Sequence, residues 1–319
     1  MIKCNLVNLG LATVVVGSIM VNDAYSFPDK PVTIYVPSSA GAANDLISRF
    51  VAEELSELWN QPVVVENKPG GGGTIAMMQA AIASADGYTL LESSSTITIQ
   101  AALGDLPSPL FDVLQPVARL GQADLLMVAG DRVEINNVSE LVARSQQGEL
   151  FAGMTGPGNG ATMYGHLIED TLGVKWVSVH YGGTADVLLD IAGGRTDITV
   201  GSVPSLQSSI EAGMVHPVAS LGVHRATQYP EVPTMAELGY PDASMSIWYG
   251  LFTQKGVPAD IVQKINTDVT EILSRPGTTA QLAKMGVFAM PMPVAEFDES
   301  IRKEIDKWSG LIARIDYKR

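Results

Sequence analysis

The chain has 319 residues, 46% of them hydrophobic, with 34 acidic against 20 basic side chains and a formal net charge of -14. That composition is globular and supplies apolar mass for one or two cores, and its negative balance repels nucleic-acid phosphates and anionic lipid at long range, so neither is an expected partner. A small anion stays within reach, because local amide dipoles can hold it whatever the net charge.

The first 26 residues run from Lys3 through an apolar stretch, Leu6 to Val21, to Ala24-Tyr25-Ser26. This is the pattern of a secretory signal peptide cleaved ahead of Phe27, which implies export to the periplasm. The apolar run is short and is broken by Asn8 and two glycines, which argues against an uncleaved membrane anchor. Cys4 is the only cysteine and leaves with the signal, so no intramolecular disulfide, thiol catalysis or lipid attachment is expected of the mature chain.

From Pro31 a motif repeats: a β-branched run, a loop of small residues, then an amphipathic helix. VTIYV reads as a buried strand, and the next segment as a helix with Leu46, Ile47, Phe50, Val51, Leu55 and Leu58 on one face, capped by Asn44 or Asp45. PVVVE is a second strand, PGGGGT a glycine loop with Thr74 as the cap of a further helix, and YTLL a third strand. The order βαβαβ implies a parallel sheet with its loops at the carboxyl edge. A second series begins near Leu125 and alternates LLMVA, LFAGM, WVSV, DITV and PVASL with helices. SIWYGLF, two helices from Ala259 to Met285, and a terminal helix bearing Phe297, Ile301, Ile305, Trp308, Ile312 and Ile315 complete the chain. The reading is α/β in two lobes, 27–125 with 248–319 and 126–247, joined by short crossing segments.

Three loops share one logic, small residues after a strand and before a helix: Pro37 to Asp45, Pro69 to Thr74 and Gly156 to Thr162. In open α/β sheets ligands bind at such loops, and amides at helix starts suit an anion. The glycine loop lacks the Gly-Lys-Ser/Thr of a nucleotide-binding loop. Ser93, Ser94 and Ser95 end a strand at the same edge, either to bond a ligand or to form a polar turn. Trp248 and Tyr249 are core packing or a cleft wall, and Met77 and Met78 read as helix packing. The four histidines show neither metal-ligand spacing nor a nucleophile partner, and no cofactor motif is present. Asp86 and Asp197 read as turn residues.

The segments FPDKPVTIYVP, QPVVVENKPGGGGTIA, ADGYTLL, VHYGGTADVLLDIAGGRTDI, YPEVPTMAELGYP, WYGLF and EFDESIRKEIDKWSGLI, in this order, resemble the extracytoplasmic solute receptors of tripartite tricarboxylate transporters, the Bug or TctC type. The resemblance implies a two-lobed periplasmic binding protein fold of type II, a Venus flytrap with its ligand cleft between the lobes, and no enzymatic activity. It implies a monomer that captures a small di-, tri- or aromatic carboxylate by lobe closure and delivers it to the membrane permease subunits. A sensor feeding a two-component kinase shares this fold, and an exported hydrolase using the same cleft is the remaining alternative. The first-lobe ligand positions implied are Ser38, Ser39, Ala40, Gly41, Asn44, Gly71, Gly72, Gly73 and Thr74, with Ser93 and Ser94. Those of the second lobe are Gly158, Asn159, Gly160, Ala161, Thr162, Tyr181, Gly201 and Ser202. The chain departs from the family pattern at Ser38, Ala40, Ala42 and Gly201, and a family histidine falls on Tyr164 without a gap or on His166 with one.

Overall fold

The computed structural model describes Met1 and residues 27–104, 109–156, 160–315 and 317. The expected signal peptide and Cys4 therefore lie outside the described residues, Met1 apart.

The first half opens as βαβαβ: β1 (Val32–Val36), α1 (Ala43–Trp59), β2 (Val63–Asn67), α2 (Thr74–Ala81) and β3 (Thr89–Ser94). All three strands are parallel in the order β2-β1-β3. On α1, Ile47, Val51 and Leu55 are buried against this sheet. Leu46, expected on the same face, is instead exposed, because its place in the first turn turns it toward the mouth of a cleft. Neither Asn44 nor Asp45 caps α1, whose cap position is Ala42. Likewise Thr74 is the first residue of α2, with Gly73 at the cap.

Two helices, α3 (Thr96–Leu103) and α4 (Leu110–Val113), lead into β4 (Leu114–Gly130), a strand of 17 residues. The second half then runs α5 (Val138–Gln147), β5 (Phe151–Thr155), α6 (Gly160–Leu172), β6 (Val177–Tyr181), α7 (Thr184–Gly193), β7 (Ile198–Ser202), α8 (Val203–Glu211) and β8 (Val215–Ser220). The chain returns through β9 (Ser246–Gln254), α9 (Ala259–Leu273), α10 (Pro276–Lys284), β10 (Phe288–Ala289) and α11 (Val294–Ile315).

The sheet is mixed. β9 inserts antiparallel between β3 and β4, and β4 is itself antiparallel to β7 and β8. β4 connects the halves: up to Asp124 it pairs with β9, and from Leu125 onward with β7 and then β8. Apolar clusters cover both faces of each half. The terminal helix belongs to both, since Phe297 and Ile301 pack in the first half while Trp308 and Leu311 pack in the second. The carboxyl ends of β1, β3, β5, β6 and β7 open on one shared space between the halves.

Candidate functional site

That space is a cleft of about 740 Å³. Its lining contains serine, threonine, glycine, alanine, tyrosine, asparagine and aliphatic residues, with no Asp, Glu, Lys, Arg or His among the described residues. The caps or opening turns of six helices, α1, α2, α3, α6, α7 and α8, reach it. No N-cap side chain bonds the opening turn of α1, α2, α3, α7 or α8. Helix starts without a cap side chain turn their positive dipole ends on whatever enters, although the first N–H of α2 is taken by Gly71 C=O and that of α3 by Ser94 Oγ at 3.4 Å.

The first loop is held from beneath by Asp45. Its carboxylate accepts from Gly41 N–H at 2.8 Å, from Asn67 Nδ2 at 2.8 Å and from Arg49 Nε at 3.1 Å. Burial pushes the Asp45 carboxyl up, but the bonds from Arg49, Gly41 and Asn67 outweigh it and hold it below the usual aspartate range. Asn67 also donates to Ser38 C=O at 3.0 Å, which ties the loop to the end of β2. Ser38, Ser39, Gly41 and Asn44 line the cleft, whereas Ala40 lies outside the lining, exposed at the tip of the turn.

In the glycine loop Gly70, Gly71, Gly72 and Gly73 all take positive φ, at 120°, 60°, 63° and 97°. Residues with a Cβ rarely adopt that backbone, and four in succession fold the chain back on itself, with Gly73 N–H bonded to Gly70 C=O at 3.0 Å and Thr74 N–H to Gly71 C=O. A Cβ on Gly73 would stand 3.2 Å from Pro37 Cβ and 3.3 Å from Met77 Cε. Gly71, Gly72 and Gly73 line the cleft. Thr74 does not: its hydroxyl donates to Gly71 C=O at 2.9 Å and stabilises the turn.

Ser93 and Ser94 line the cleft from the end of β3, and Ser94 Oγ donates to Thr96 Oγ1 at 3.2 Å. From the second half come Gly160 and Ala161 at the start of α6, Tyr181 at the end of β6, and Gly201 and Ser202 at the end of β7. Gly158 and Asn159 lie outside the described residues. Thr162 is buried, with its hydroxyl given to Gly156 C=O at 2.9 Å, and it leaves the lining for that reason. Tyr181 presents its ring, since its hydroxyl donates to Asp190 at 2.8 Å.

Of the two family-histidine candidates, Tyr164 faces the cleft, with its hydroxyl 2.8 Å from Ser95 Oγ. His166 turns the other way, to Glu169 at 2.9 Å. β9 splits its aromatic pair: Trp248 enters the core and donates to Glu304 at 2.6 Å, while Tyr249 walls the cleft. The Ser202 hydroxyl neighbours Tyr249 Oη without meeting hydrogen-bond geometry. Sequence reasoning overlooked Thr184 and Ala185 behind Gly182-Gly183, although YGGTAD follows the same strand, small loop and helix order as the others. Thr96 and Ile247 carried no such signal. No histidine lines the cleft, and no group of three or more His, Cys, Asp or Glu suited to a metal ion occurs among the described residues.

Two α/β halves joined through antiparallel strands, with a neutral cleft ringed by helix starts between them, are the fold of a periplasmic binding protein. Residues 47–317 match the tripartite tricarboxylate transporter family receptor, TctC, and the chain belongs to that family. It is 31% identical to the protein BugT of Bordetella pertussis (strain Tohama I), over 91% of this chain and 90% of that one. MatC from Rhodopseudomonas palustris, solved with bound malate, aligns with a TM-score of 0.81 at 26% identity over 90% of this chain and all (100%) of that one. An R. palustris protein solved with adipate aligns with a TM-score of 0.82 at 27% identity, over 90% of this chain and 97% of that one.

Proposed function

We propose that this chain is an exported receptor that captures a small carboxylate in the cleft by lobe closure and passes it to the permease subunits of a tripartite tricarboxylate-type transporter. The convergence of uncapped helix starts on a cleft without charged side chains supports this reading most directly. Amides and hydroxyls there can take a carboxylate that the net charge of -14 disfavours. The relatives solved with malate and adipate supply the ligand class. The contacting residues are Ser38, Ser39, Gly41, Asn44, Gly71, Gly72, Gly73, Ser93 and Ser94 on one side and Gly160, Ala161, Tyr181, Gly201 and Ser202 on the other. The lobes are 27–125 with 248–319 and 126–247, α11 bridging them, and the protein works as a monomer after a signal peptide is cleaved ahead of Phe27. Lobe closure needs no chemistry of its own: a ligand that touches both lobes shifts the population toward the closed state by its differential affinity for that state.

The test is a thermal-shift screen of residues 27–319 against aliphatic and aromatic mono-, di- and tricarboxylates and their amides. A carboxylate at about a hundred times its Kd stabilises the fold by about 2.7 kcal/mol and raises Tm by several degrees. The amide of the same compound is expected to have no effect. A response to neutral analogues alone would exclude the carboxylate cradle.

A further inference from the structure

Glu92 sits on β3 one residue before the Ser93-Ser94 edge, and it is fully buried. Its hydrogen-bond partner is Asn44, whose Nδ2 lies 3.1 Å from Oε1 and 3.0 Å from Oε2. Asn44 in turn lines the cleft. The ionisable groups facing Glu92 are the Asp45 carboxylate from α1, already held by Arg49, and the buried Tyr249 phenol from β9. Among the described residues no Lys, Arg or His pairs with it. A carboxylate buried without a cation is penalised, and with a single neutral amide as partner the protonated form is favoured. Burial pushes the Glu92 carboxyl up to about 8.

We propose that Glu92 is a positioning residue of the cleft, whose proton sets which end of the Asn44 amide is offered to the ligand and so links carboxylate capture to proton occupancy. The inference rests on the carboxylate-receptor reading above. The orientation seen here, with Nδ2 toward both Glu92 oxygens, is the one an ionised Glu92 selects; a protonated Glu92 has one O–H to donate, and when the Asn44 amide turns over to accept it at Oδ1 the NH₂ group is left to donate to a ligand carboxylate. An ionised Glu92 only accepts; it draws Nδ2 toward itself, turns Oδ1 to the cleft and places a like charge behind it. Both changes oppose an anion. Binding therefore takes up a proton wherever Glu92 is ionised in the free protein, and affinity falls as pH rises through the Glu92 pKa.

The experiment is calorimetric titration of the purified protein with adipate and, separately, malate, both fully ionised throughout the range. From about pH 6.5 to about pH 9.5 the wild-type Kd is expected to rise at least about fivefold, approaching tenfold per unit above the Glu92 pKa. Glu92→Gln, permanently neutral and able to pair with either end of Asn44, is expected to hold the low-pH affinity within about threefold and to lose the pH dependence. Titrations of the wild type at about pH 8.5 in two buffers of different ionisation enthalpy count the protons taken up, independently of whether the variant folds. A flat wild-type profile without proton uptake, or an unchanged slope in Glu92→Gln, overturns the inference and leaves the receptor reading standing. Failure of these ligands and of the wider carboxylate panel to bind at any pH removes both.

Discussion

Asp45 occupies the first turn of α1 with its side chain 2% exposed, and three donors converge on its two oxygens. Asp45→Ala leaves the Gly41 N–H, the Asn67 amide and part of the Arg49 guanidinium without an acceptor, and a destabilisation of about 2–4 kcal/mol is expected in denaturant titration. The loss of ligand affinity should be larger than for an exposed substitution, because the loop carrying Ser38 and Gly41 is no longer pinned. The Asp45 carboxyl is held below its ordinary value, so its contribution to stability is complete above the unfolded pKa and fades as pH drops through the folded one. The wild type should lose Tm in acid below about pH 4, and Asp45→Asn should remove part of that slope. In the glycine loop, Gly73→Ala meets both a left-handed backbone and the Pro37 and Met77 side chains, and a loss of about 1–3 kcal/mol with weakened carboxylate binding is expected. At this scale the sequence was partly legible. Four glycines before a helix announce a close backbone approach, but nothing in the string distinguishes Thr74, which braces the turn, from Ser38, which lines the cleft. Glu92 reads as one polar residue in a strand; its meaning comes from Asn44, 48 positions away, folding over it.

Elements were legible where apolar periodicity was strong and opaque where tertiary packing overrode propensity. The five-element opening follows from β-branched runs and from the Ile47, Val51 and Leu55 face. β4 was seen only in its second half, because Pro116 and Gly121 interrupt the first; both pair with β9, and the ladder shifts register beside them, at Val117 and Leu120. α3 escaped notice because TITIQAAL is rich in β-branched residues and has no capping side chain, yet it packs closely along α11. Gly250 on β9 lets α11 seat on the sheet: a Cβ there would stand 2.5 Å from Phe297 Cζ and 3.2 Å from Ala118 C=O. Gly250→Ala is expected to overpack this contact by about 1–3 kcal/mol. Trp308, buried farther along α11 with its ring centroid 5.8 Å from that of Tyr164, is expected to cost about 3–5 kcal/mol on replacement by alanine. Both values are read from chemical denaturation. A Trp308→Ala loss no greater than that of a surface site would show that α11 does not tie the second half to the first.

At the scale of the molecule, charge and cleft work in opposite directions. The net charge of -14 is unaffected by removal of residues 1–26, in which Lys3 and Asp23 cancel. On the proposed reading, a ligand bearing two or three negative charges approaches a repulsive surface and is held by a lining with no charged side chain among the described residues. The two contributions differ in range. Surface repulsion acts over tens of ångströms at low salt and is largely screened at physiological ionic strength, where the Debye length is about 8 Å against about 30 Å at 0.01 M. Amide dipoles and hydrogen bonds act at contact and are screened much less. Adding salt thus removes repulsion while leaving most of the attraction. The association rate for adipate or malate is expected to rise about two- to fivefold between about 0.01 M and about 0.15 M sodium chloride, with a smaller change in the dissociation rate. Stopped-flow fluorescence reads both, since Tyr164, Tyr181 and Tyr249 wall the cleft and Trp248 adjoins Tyr249 on β9. An anion held by lysine or arginine shows the reverse sign, weakening as salt is added, so affinity that falls over this range would show that the cleft relies on a cation rather than on helix starts.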